Sequence, residues 1–165
     1  MLSVAIVDTS IFCNLLDIPH MNEEKEDVVQ EMRDFIKNGT NLLLPMSSVY
    51  ETGNHIAQLK LSDGNIRRNY AKKFVEQVEK AISGEAPWRI MQYPDQTQII
   101  DWLRKFPDAA MQGKSIADVS IISEWENFRS KAPNHRVFIW AIDAHLSGYD
   151  SHPPQKYNKR FHAHS

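Results

Sequence analysis

Apolar and polar positions along the chain alternate between two patterns. Residues Leu2 to Val7 and Val137 to Ile142 are short, nearly continuous apolar runs, and Asn41 to Leu44 is a third that Pro45 ends. Runs of this kind suit strands buried on both faces of a parallel sheet better than strands with one wet face. Trp88 to Gln92 reads as a further short strand. Between them the apolar positions recur at helical spacing. Ile11, Phe12, Leu15 and Leu16 mark a helix that Pro19 stops, and Val28, Val29, Met32, Phe35 and Ile36 mark a second from Glu23 to Lys37, closed by Asn38-Gly39. Ser47-Ser48 opens a helix running to about Lys60, and Tyr70, Phe74, Val78 and Ile82 give another over Asn65 to Ile82. Asp95 to Phe106 carries Ile99, Ile100, Leu103 and Phe106 on one face, with Pro107 predicted to end it, and Ser115 to Phe128 follows a loop containing Gly113.

Short buried strands alternating with amphipathic helices predict a three-layer α/β/α domain around a short, mainly parallel central sheet. With 165 residues, 42% of them hydrophobic, the chain supports one substantial core, read as a domain over 1–150 and a polar tail over 151–165. The tail contains His152, His162 and His164 with Lys156, Lys159 and Arg160. One cysteine, Cys13, excludes an internal disulfide framework. Without a leader-like segment or a long apolar span, the expectation is a cytoplasmic protein that meets no membrane. A net charge of −2 advertises no bulk attraction to phosphate, so any nucleic-acid contact must come from local patches.

The strand order concentrates acids. Asp8 ends the first strand, Glu51 lies in the first turn after the second, Asp118 opens the helix before the last strand, and Asp143 directly follows that strand. Sites in such sheets form beyond the carboxyl ends of the strands. Carboxylates gathered there repel one another unless a divalent cation sits among them, and all-oxygen ligands select Mg²⁺ or Mn²⁺.

Each acid also has a plainer reading. Ser48-x-x-Glu51 and Ser115-x-x-Asp118 both fit capping boxes, Asp8 could cap the helix starting near Ser10, and Asp143 could start a turn. Thr9 and Ser10 could cap the first helix or bond a ligand carboxylate, capping alone being the simpler reading. Arg68, Lys72 and Lys114 could hold substrate phosphates or only solvate helix faces. A phosphoryl-transfer domain with Asp8 as nucleophile fits less well. Phosphatases of that type carry a second aspartate where Ser10 stands, and receivers want another acid beside the first and a lysine after the last strand.

Four segments in order, Val7-Asp8-Thr9-Ser10, Ser48-Val49-Tyr50-Glu51 followed by Asn54, Ser115-Ile116-Ala117-Asp118 and Ile142-Asp143-Ala144-His145-Leu146, resemble the PIN-domain nucleases over Val4 to about Tyr149. The last segment departs from the common pattern, with Ala141 where a threonine or serine is frequent and Leu146 where a phenylalanine is frequent. The resemblance implies a metal-dependent endoribonuclease. Its Mg²⁺ or Mn²⁺ would be held by Asp8, Glu51, Asp118 and Asp143, with Thr9, Ser10 and Asn54 in support. Stand-alone chains of this length resemble toxins of toxin–antitoxin pairs, which implies RNA as substrate, a homodimer and an antitoxin partner. The reading from a different class is a catalytically idle PIN-like module that binds RNA or protein.

Overall fold

The computed structural model describes residues 2–153. The elements follow the order β1 (Ser3–Val7), α1 (Thr9–Leu15), α2 (Lys25–Lys37), β2 (Asn41–Leu44), α3 (Met46–Ala57), α4 (Gly64–Ser83), β3 (Trp88–Ile90), α5 (Gln96–Met111), α6 (Ile116–Lys131), β4 (Arg136–Trp140), α7 (Ala144–Ser147) and β5 (Asp150–Ser151). The five strands lie in the order β3-β2-β1-β4-β5, parallel except for the β4–β5 pair. Chain direction is therefore common to β1 through β4, and their carboxyl ends share one edge. From β1 the chain crosses to β2 on one side, and β4 returns on the other, so the strand order switches sides at β1.

The pleat divides the core into two. Ala5 and Val7 of β1, Leu42 and Leu44 of β2, and Phe138 and Trp140 of β4 pack on one face with Ile11 and Phe12 of α1, Val28 of α2 and Val49 and Ile56 of α3. The alternate residues Val4, Ile6, Val137 and Ile139 pack on the other face with Ile121 and Trp125 of α6, Met91 and Leu146. Side chains of period two from a strand covered on both faces require this arrangement, and it makes the fold a three-layer α/β/α domain. Two tryptophan N–H groups tie helices to it. Trp125 Nε1 donates to the Val137 carbonyl at 2.9 Å, and Trp140 Nε1 donates to Glu31 Oε2 at 2.7 Å.

Three expectations need correction. First, α5 continues through Pro107 to Met111, although proline removes one bond in the ladder. The helix buries none of its residues, and Leu103, whose carbonyl loses that partner, is 57% exposed, so water can take the partner's place. The predicted apolar face of Ile99, Ile100, Leu103 and Phe106 thus covers no core. Second, β5 has no apolar signature. Arg136 makes a two-armed bond to Asp150, at 3.0 Å from Nε and 2.6 Å from the terminal nitrogen, and this pins β5 to β4. Ser151 is consequently part of the sheet, so the domain runs past 150. Third, α3 begins at Met46, and Ser48 lies inside it, buried, donating to the Val7 carbonyl at 2.9 Å. That residue closes no capping box with Glu51. Of the basic and histidine-bearing tail, Lys156, Lys159, Arg160, His162 and His164 lie outside the described residues.

Candidate active site

Asp8 leaves β1 with its own amide still bonded to the Trp140 carbonyl, at 3.0 Å, so the sheet fixes its backbone between β1 and β4. It is the N-cap of α1, with extended φ and ψ of −76° and 160°. One oxygen, Oδ2, accepts both the Ser10 amide (3.0 Å) and the Ser10 hydroxyl (2.7 Å). The Ser10 hydroxyl also accepts the amide of Ile142 at 3.1 Å, tying the segment after β4 to the end of β1. Thr9, buried beside Asp8, donates its hydroxyl to Glu51 Oε2 at 2.7 Å and so links α1 to α3. Both hydroxyls serve carboxylates, and Asp8 does the capping. Capping alone is the wrong reading for Thr9 and for Ser10.

Asp118 occupies the third position of α6. A capping box forms there: Ser115 Oγ accepts the Asp118 amide at 3.0 Å, and Asp118 Oδ2 accepts the Ser115 amide at 2.7 Å. Asp143, exposed, caps the single turn α7, its Oδ1 accepting the His145 amide at 2.8 Å. The plain reading therefore holds for Asp118 and Asp143, as it does for Asp8. One oxygen is committed to a local donor in Asp8, Asp118 and Asp143, and to Thr9 of α1 in Glu51. Oδ1 of Asp8, Oε1 of Glu51, Oδ1 of Asp118 and Oδ2 of Asp143 take none of these bonds.

Electrostatics mark Asp8 most strongly. Burial pushes its carboxyl above the ordinary carboxylate value, against the pull of the Ser10 and Thr9 hydrogen bonds, and the charge of Asp118 adds to the rise. Burial likewise lifts the Cys13 thiol to about 11, with the charges of Asp8 and Glu51 contributing, so this buried cysteine is no nucleophile. Among the described residues no lysine, arginine or histidine pairs with Asp8, Glu51, Asp118 or Asp143. Also among the described residues, no three His, Cys, Asp or Glu side chains gather at metal-binding spacing. Unneutralised acids gain by standing apart.

The structure thus ties Ser10 to Asp8 and Thr9 to Glu51 and lets the Asp118 charge act on Asp8, without gathering the acids into one metal-binding cluster among the described residues; Asp143 caps α7, one residue from the Ser10–Ile142 bond. Asn54 is exposed on α3 and lines, with Glu51, a cavity of about 630 Å³ between α3, α5 and α6. Lys114 is half-buried immediately before the Asp118 helix. Arg68 and Lys72 lie exposed on α4, which packs against α3, and touch neither that cavity nor the acids. Their neighbour Arg67 is committed to the Leu59 carbonyl, at 3.1 and 2.5 Å.

Sequence reasoning missed Tyr50, Tyr93, Trp102 and Glu124, which line the same cavity. Glu124 had a signal: it shares a helical face with Ala117 and Ser120, between the buried Ile121 and Trp125. Comparison with protein-family models and with curated proteins finds no match.

Proposed function

We propose that the chain is a metal-dependent endoribonuclease whose centre is the acidic edge around Asp8. One observation carries the reading. Asp8 is a half-buried carboxylate at the strand-order switch, repelled by Asp118 and given no counter-charge among the described residues. Such a group is costly to desolvate without a cation. The donor set fits Mg²⁺ or Mn²⁺, being entirely carboxylate oxygen.

Asp8 and Asp118 would hold the ion, with Asp143 as a further oxygen ligand. A divalent cation bound there supplies the acidity that makes water a nucleophile at neutral pH and the charge that stabilises phosphoryl oxygens. Glu51, oriented by Thr9, keeps Oε1 to accept a proton from the attacking water. Ser10 fixes the Asp8 carboxylate and, through Ile142, the distance between the two strand ends. Lys114, half-buried four residues before Asp118, would hold a phosphate of the RNA.

The partners implied by the resemblance, a second copy and an antitoxin, belong to the same proposal, and light scattering of the purified chain tests the first. Among the described residues no helix is long and apolar enough to cross a membrane. The nuclease reading is tested by incubating single-stranded RNA with Mn²⁺: the wild-type chain cleaves it, and Asp8→Asn loses at least about a hundredfold in rate. Undiminished cleavage by Asp8→Asn would sink the assignment.

A further inference from the structure

Two cavities meet beside the acidic edge. The smaller, of about 630 Å³, begins at Glu51 and Asn54. The larger, of about 780 Å³, runs between α5 and α6 and has Lys131 on its wall. They share the side chains of Met91, Gln92, Tyr93, Trp102 and Glu124. Tyr93 is 65% exposed, and Tyr50, at the other end of the smaller cavity beside Glu51, is 64% exposed. Rings left this bare on concave surface have faces free for a planar ligand. Glu124 is the one acid shared by both cavities. It is half-buried, and among the described residues it makes no hydrogen bond and no ion pair. A carboxylate only accepts, so this one calls for a ligand that donates.

We propose that the junction of the two cavities binds one unstacked nucleobase of the RNA, stacked on Tyr93 and Trp102 and read by Glu124, and that the base preferred is guanine. The choice among bases follows from donor geometry. Guanine offers two adjacent donors, the ring N1–H and the N2 amino group, on one edge, which a carboxylate accepts in two parallel bonds. Cytosine and adenine offer one amino group, and uracil a single ring N–H flanked by carbonyls that repel a carboxylate. Aromatic faces supply binding that any base can use, and the acid supplies discrimination. Because the smaller cavity continues to Glu51, a strand seated by that base passes beside Glu51. The inference takes RNA as ligand from the nuclease reading and adds to it the site that chooses where the strand is held.

The test is fluorescence anisotropy of end-labelled pentamers UUGUU, UUIUU and UUUUU with EDTA present, so that binding is read without cleavage. The expected result is that UUGUU binds about tenfold tighter than UUUUU, with UUIUU, whose inosine lacks the N2 amino group, in between. Glu124→Gln abolishes the preference while keeping UUUUU binding, whereas Trp102→Ala weakens all three by about tenfold. Equal affinity for the three RNAs in the wild-type chain overturns the proposal, as does a guanine preference that survives Glu124→Gln. The pentamer comparison needs no variant, so a misfolded mutant leaves it decisive. A guanine preference without any Mn²⁺-dependent cleavage counts against the nuclease reading alone, and cleavage without a preference counts against the base site alone.

Discussion

Asp8 carries opposed demands. As N-cap it stabilises α1, yet burial and Asp118 disfavour its ionised form. A carboxyl raised in the fold gives its full stability below its unfolded value near 3.8 and loses it as pH rises through the folded value. Above that window the ionised group is a burden. Asparagine caps as well as aspartate and carries no charge. Asp8→Asn in EDTA at pH 7 is therefore expected to melt no lower than the wild type, with a gain on the order of 1 kcal/mol that vanishes below about pH 4. A lower melting point at pH 7 would contradict the burial argument. Ser10→Ala removes one hydroxyl from two bonds, to Asp8 and to Ile142, and leaves the Ile142 amide without its partner. It should cost about 1–2 kcal/mol by thermal melting and slow Mn²⁺-dependent cleavage about tenfold or more.

Elements with an apolar signature were legible, and those held by polar contacts were not. β1, β2 and β4 bury side chains on both faces and so appear in the sequence as unbroken hydrophobic runs. β5 is two polar residues whose place depends on Arg136, fourteen positions earlier, so no local pattern announces it. Burial pushes the Asp150 carboxyl up, but the Arg136 bonds and charge, with help from His152, outweigh this and hold it below its ordinary value of 3.8. A depressed carboxyl stabilises above its unfolded value and loses that contribution as pH falls through the folded one. Asp150→Asn should then cost about 1 kcal/mol at pH 7 and nothing once the pH is well below the folded value, as read by melting temperature against pH. A cost that persists in strong acid would assign the effect to packing. The helix α5 misled in a different way: its apolar residues have helical spacing, but periodicity says nothing about whether a partner covers the face.

At the scale of the whole molecule, the candidate site was legible as an order of acids and illegible as a geometry. The α/β alternation places Asp8, Glu51, Asp118 and Asp143 at one end of the sheet from sequence alone. It does not reveal that Asp8, Asp118 and Asp143 each spend one oxygen on a local donor, that Glu51 spends one on Thr9 of α1, or that Ser10 reaches Ile142 across 132 residues of chain. Glu124 was missed because one acid among the several charges of α6 looks like any solvated group until two cavities are seen to meet at it. The central claim is that the acids at this edge share a cation that relieves their repulsion. Calorimetric titration of Mn²⁺ into the wild-type chain and into Asp8→Asn tests it most directly. The account predicts saturable binding to the wild type that Asp8→Asn weakens by about tenfold or more. An absence of binding to the wild type, or equal binding to both, would contradict it.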